Sequence, residues 1–96
     1  MRQLDEIKKI IKSNNSELKN KYLVKNIAIF GSYARNEQRE NSDIDILVEF
    51  REPVGLLFVH LADYLEEILE KKVDLLTSDA IKLNRKKYIM EDLTYV

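Results

Sequence analysis

Asp43 and Asp45 stand one residue apart, and a Gly31-Ser32 pair precedes them with ten residues between. A third carboxylate, Asp74, sits inside the apolar run Val73-Asp74-Leu75-Leu76. In an extended segment successive side chains alternate faces, so Asp43 and Asp45 point the same way with stems about 6.6 Å apart, twice the rise of ~3.3 Å per residue. Aspartate is disfavoured in strands and like charges on one face repel, so the pair calls for a positive partner. A hard divalent cation with oxygen ligands, Mg²⁺ foremost, meets that need. With no cysteine and one histidine, His60, in the chain, carboxylates must supply the ligands of any metal. Three of them on adjacent strands can hold two ions, which in such sites stand roughly 3.5–4 Å apart and promote in-line displacement at phosphorus.

Gly31-Ser32 supplies what the metals lack. A glycine lets backbone N–H groups approach a phosphate, and the serine hydroxyl adds a donor. Arg35, one helical turn beyond, is suited to pair with a triphosphate or a departing pyrophosphate. Metal ligands at Asp43, Asp45 and Asp74 and a nucleotide grip at Gly31, Ser32 and Arg35 make up the candidate site. Four fixed residues of the Gly-Ser…Asp-x-Asp kind at fixed spacing arise by accident in about one chain of this length in a thousand.

The elements that would position these groups can be read from periodicity. Leu4, Ile7 and Ile11 mark an amphipathic helix over 3–12, interrupted at Ser13-Asn14-Asn15, and a second short helix is expected over about 16–23. Residues 26–30 form an apolar, β-branched run that ends at Gly31-Ser32, as a buried strand ending in a turn. Tyr33 to Ser42 has room for about two helical turns and a loop. Ile44, Ile46, Val48 and Phe50 alternate as a second strand. Pro53 suits the first turn of a helix whose face is Leu57, Leu61, Tyr64, Leu65 and Ile68 and which runs to about Glu70. Residues 72–77 read as a third strand. Ser78 or Asp79 would cap a last helix over 80–92, with Ile81, Tyr88 and Ile89 facing inward. The predicted fold class is α/β (α+β), a small mixed sheet flanked by helices, in a single domain spanning 1–96.

Composition narrows the partners. A net charge of −1 is not that of a surface built to neutralise many phosphates, so direct stable nucleic-acid binding is not expected. No stretch approaches the 18 or more apolar residues of a membrane span, and the N-terminal segment lacks the apolar core of a signal peptide, which makes the cytoplasm the expected compartment.

On these residues the chain resembles the minimal nucleotidyltransferases of the DNA polymerase β superfamily, specifically the antitoxin partners of HEPN ribonuclease toxins. The likeness covers nearly the whole length: Gly31-Ser32-Tyr33-Ala34-Arg35, Ser42-Asp43-Ile44-Asp45-Ile46-Leu47-Val48, Pro53-Val54-Gly55-Leu56 and Val73-Asp74-Leu75. The resemblance implies a polymerase-β-type core in which the paired aspartates bind both Mg²⁺ ions, the third completes the catalytic site and the Gly-Ser turn grips ATP. It also implies transfer of AMP to a tyrosine of a HEPN toxin encoded nearby, which neutralises the toxin, and a possible homo- or hetero-oligomer. Asn36 departs from the family, which usually has glycine there. Asparagine is the next most tolerant residue of a left-handed backbone, so the turn is expected to survive.

Other readings of the same residues stand beside this one. Asp43 could merely cap the entry to a strand, Ser32 could only satisfy backbone groups, and Asp74 could be a structural acid paired with Lys71, Lys72 or Arg85. His60 reads as a packed or half-exposed residue with no role in the chemistry, and the cluster Lys82, Arg85, Lys86 and Lys87 as a solvated helix face or a partner surface. At the level of function, the alternatives are a non-catalytic antitoxin that neutralises its partner by contact, and a domain phosphorylated on Asp43 or Asp45. The second leaves Gly31-Ser32 unexplained.

Overall fold

A computed structural model describes residues 3–81 and 89–96. Helix α1 (Gln3–Ser13) buries Leu4, Ile7 and Ile11, the spacing read from sequence. It stops where polar side chains take over its last carbonyls: Ser13 Oγ donates to Lys9 O at 2.9 Å and Asn14 Nδ2 to Ile10 O at 2.8 Å. Helix α2 (Asn15–Asn20) follows at once and ends three residues earlier than expected, because Leu23 turns into a left-handed conformation at φ 58°. Strand β1 (Val24–Phe30) therefore starts two residues before its predicted beginning.

At Gly31 the chain turns into α3 (Gly31–Ala34), which is a single turn. The expected two turns do not form because Asn36 adopts φ 60°, which ends the helix and sends the chain into an irregular loop up to Ser42. Strand β2 (Ile44–Phe50) returns antiparallel to β1. Helix α4 (Leu57–Leu69) starts four residues after Pro53, which lies in the preceding loop and not in the helix's first turn. Gly55 at φ 53° separates the two, a conformation that no continuing helix uses. The buried stripe of α4 is Leu61, Leu65 and Leu69. Glu70 ends it in a left-handed conformation, and the Glu66 carboxylate accepts the Val73 N–H at 3.0 Å, steering the chain into β3 (Val73–Thr77).

A short 3₁₀ turn occupies Ser78–Ala80, Ile81 is extended, and residues 89–92 are helical. Most of the predicted helix over 80–92, including Tyr88 and the basic cluster Lys82, Arg85, Lys86 and Lys87, lies outside the described residues. Strand β4 (Thr94–Tyr95), which sequence reading did not foresee, pairs antiparallel with Ala28 and Ile29.

The sheet has the order β3-β2-β1-β4, with β2 and β3 parallel and the other pairs antiparallel. This is the small mixed sheet with flanking helices that the sequence suggested. Its two faces differ in cover. On one, Ile27, Ile29, Ile44, Ile46, Val48 and Leu75 pack with the apolar sides of α1, α2 and α4 into the main core. Tyr64 fastens that layer by donating to Asn14 Oδ1 at 2.8 Å. Leu61, Leu65 and Ile46 are fully buried, and truncating any of them to alanine would cost about 2–5 kcal/mol. On the opposite face, Phe30, Leu47 and Ile89 form a smaller cluster with Leu76, Ile81 and Leu93 against it. Among the described residues this cover is the thinner one, and Asp45 and Asp74 stand on the same face of the sheet.

Candidate functional site

The strand register draws the site across three strands in one row. Phe30 pairs with Asp45, and Asp45 pairs with Asp74. Paired residues share a face, so both carboxylates rise from the side of the sheet away from α1, α2 and α4. Asp45 is half-buried in central β2, whereas Asp74 on edge strand β3 is exposed. Its apolar neighbours suggested a charge enclosed in the core. The edge position corrects this: Leu75 enters the main core, whereas on the other face Leu76 packs against the smaller cluster and Asp74, at the start of the strand, is left exposed. Asp43 is exposed just before β2 begins.

Gly31 answers a steric demand. With φ at 72°, its backbone is one that side-chain-bearing residues rarely adopt, and a Cβ there would overlap Asp45 Oδ2 and lie 3.0 Å from Asp45 Cγ. The turn beyond it is closed by Arg35 N–H to Gly31 O at 3.1 Å and Glu37 N–H to Ser32 O at 2.8 Å. Asn36 holds the left-handed conformation expected of it. Buried Tyr33 anchors the turn in the main core, leaving Ser32 half-exposed beside Gly31.

Burial, the negative charges of Asp74 and Asp43, and a hydrogen bond shared with Asp74 push the Asp45 carboxyl up to about 6, against a smaller opposing effect of Arg35. The charge the cluster lacks is therefore positive. Among the described residues no three carboxylate or imidazole groups are already gathered at ligand spacing. The exposed side chains of Asp43 and Asp74 would swing toward Asp45 to close on an ion. The donor set consists of oxygens alone, and the charges of Asp74 and Asp43 raise the proton affinity of Asp45, which fits a hard divalent cation.

Arg35 stands at the opposite wall. Its Nε donates to Glu37 Oε2 at 3.1 Å and its Nη1 to Asp92 Oδ2 at 2.6 Å. Both hydrogen bonds, with Glu37 and then Asp92, raise its already high pKa. An open cavity of ≈ 250 Å³ lies between these groups, lined by Phe30, Gly31, Arg35, Asp45, Asp74, Ile89 and Asp92. The fold thus brings together Gly31, Arg35, Asp45 and Asp74 around the cavity and leaves Ser32 and Asp43 outside its lining, with Asp43 close enough for its charge to act on Asp45. Asp92 is the lining carboxylate that sequence reading missed. Its spacing of three from Ile89, a position expected to face inward, was the one signal that could have placed it on this side. No described helix is long and apolar enough to cross a membrane.

Comparison with known proteins places this geometry in a family. Residues 4–96 match the family described as "Nucleotidyltransferase domain". Over the whole of both chains, the sequence is 55% identical to a Methanocaldococcus jannaschii protein provisionally named a protein adenylyltransferase. It is 40% identical to the protein adenylyltransferase MntA of Thermococcus cleftensis, covering 100% of this chain and 98% of that one. Among solved structures, one provisionally described as a minimal nucleotidyltransferase superposes with a TM-score of 0.80 at 27% identity, covering 95% of this chain and 93% of the other. A toxin-antitoxin crystal structure with AMP-PNP gives 0.68 at 25% identity, covering 96% and 70%.

Proposed function

Because this chain belongs to the nucleotidyltransferase domain family, we propose that it is a protein adenylyltransferase of antitoxin type. It would transfer AMP from ATP to a tyrosine of a HEPN ribonuclease toxin encoded nearby and so neutralise it. The observation that carries this reading is the grouping of Gly31, Asp45 and Asp74. The Asp45 carboxylate, paired in register with Asp74, abuts the glycine whose backbone leaves room for it, next to a serine and an arginine suited to phosphate. The relatives named as protein adenylyltransferases match end to end, which extends the proposal from nucleotidyl transfer to a protein acceptor.

In the proposed reaction the acceptor hydroxyl oxygen forms a bond to the α-phosphorus of ATP. The bond from that phosphorus to the pyrophosphate oxygen breaks, pyrophosphate departs, and the hydroxyl proton passes to the carboxylate cluster. Asp43, Asp45 and Asp74 would hold Mg²⁺, two ions in the family pattern, which neutralises charge on the phosphates and activates the attacking oxygen. Gly31 lets the main chain approach the triphosphate, Ser32 donates a hydroxyl to it, and Arg35 offers a planar set of N–H donors. Tyr33 of α3 packs into the same core as Ile44, Ile46 and Val48 of β2, which sets the Gly31 turn beside Asp45. Co-incubation of the chain with Mg²⁺, ATP and the neighbouring HEPN protein, followed by intact-mass measurement, tests the proposal. AMP-sized increments on the HEPN protein that vanish when its tyrosine is changed to phenylalanine are expected. An unmodified partner after full incubation would contradict it.

A further inference from the structure

Asp92 touches neither Asp43 nor the Gly-Ser turn in sequence, yet it reaches across 57 residues to make the shortest ion pair described here, to Arg35 at 2.6 Å. Two carboxylates compete to decide where the guanidinium sits, and they are anchored differently. Glu37 lies in the irregular loop with its side chain 65% exposed, whereas Asp92 is 24% exposed. Asp92 is also held on both sides, by Ile89 buried against Phe30 and Leu47, and by Thr94 and Tyr95 paired to β1. An exposed ion pair contributes little to stability, so fixing the fold is a poor explanation of this contact. Its consequence for the site is larger. Of the five guanidinium N–H groups, Nε–H goes to Glu37 and one Nη1–H to Asp92, which leaves three on a side chain that lines the cavity shared with Asp45 and Asp74.

We propose that Asp92 is a positioning residue for the nucleotide: by holding Arg35 through Nη1 from the far end of the chain, it aims the remaining guanidinium donors at the triphosphate. This rests on the proposed function, since it takes the cavity to receive ATP. It assigns to the C-terminal segment a part in binding nucleotide, beyond covering the sheet. Asp92 acts only through Arg35 and itself touches no substrate.

A double-mutant cycle read by calorimetric binding of AMP-PNP with Mg²⁺ to the full chain tests it. Asp92→Asn should weaken binding by about tenfold, the value of one charge-assisted hydrogen bond misplaced. Asp92→Glu should recover part of the loss, and Arg35→Ala should weaken binding at least as much as Asp92→Asn. In the Arg35→Ala background, Asp92→Asn should have no further effect. Equal losses from Asp92→Asn with and without Arg35 would overturn the inference, as would a fall in melting temperature with unchanged affinity. A change in the Mg²⁺ concentration needed for binding, with Arg35 irrelevant, would make Asp92 a metal ligand and also overturn it. In each of these cases the unmodified chain still binds nucleotide. If it binds none, the proposed function fails, and this inference with it.

Discussion

The carboxylate of Asp45 occupies the space in which a side chain at residue 31 would stand, so Asp45 holds residue 31 to glycine. Gly31→Ala therefore carries two penalties, a left-handed backbone costing about 1–2 kcal/mol and displacement of the central carboxylate. Gly55 has a similar φ of 53° but nothing within 4 Å of a Cβ, so Gly55→Ala carries only the first. Thermal melts should show a larger loss for Gly31→Ala than for Gly55→Ala, with nucleotidyl transfer abolished in the former. Equal losses would mean that Asp45 yields without cost.

Asp45 imposes a strain on the metal-free fold that depends on pH. Its folded pKa, about 6, lies above the ordinary 3.8. Stability from this group is thus fully present below about pH 4 and lost as pH rises through about 6. The displacement from 3.8 to about 6 would correspond to about 3 kcal/mol if the group were shielded from water. Solvent screening at a half-buried carboxylate brings this to about 1 kcal/mol. At pH 7.5 without metal, Asp45→Asn should melt higher than the parent, by about 4–8 °C for a domain of this size. That advantage should disappear near pH 4. With Mg²⁺ and ATP present, the parent should gain stability and the variant should not. A variant that melts lower than the parent at neutral pH would show that burial and the neighbouring charges do not destabilise the ionised Asp45.

Ser32 holds the turn through its carbonyl, which accepts the Glu37 N–H. Its hydroxyl is thereby separable from folding. Ser32→Ala should leave the melting temperature nearly unchanged and reduce transfer by about 10²–10³-fold, as removal of one preorganised donor can do. A destabilised protein with near-normal transfer would confine Ser32 to the turn.

How much of this could be read from the chain follows from the range of each contact. The place of Asp45 on β2 was legible because strand alternation has a period of two, although Asp43 stands just before the strand, and the left-handed Asn36 because its residue type is one of the few that tolerates that backbone. The helices α1 and α4 were legible from Leu4, Ile7 and Ile11 and from Leu61 and Leu65, whose spacing is set by the same core they build. Asp74 was located on its strand but its exposure was not, because apolar flanks look alike on a central and an edge strand. Strand β4 spans two residues, too few for any periodicity. The Arg35–Asp92 pair joins residues 57 apart in the chain; the spacing of Asp92 from Ile89 could place Asp92 on this side but not against Arg35.

The central claim is that AMP, not phosphate, moves from ATP to a tyrosine of a second protein. The most direct measurement incubates the chain, Mg²⁺ and the neighbouring HEPN protein with ATP labelled either at the α- or at the γ-phosphate, and follows the label on protein. The account predicts label on the HEPN tyrosine from α-labelled ATP alone, release of the γ-label in pyrophosphate, and neither outcome with Asp45→Asn. Transfer of the γ-label, or no label on the partner while the partner is still neutralised, would contradict it.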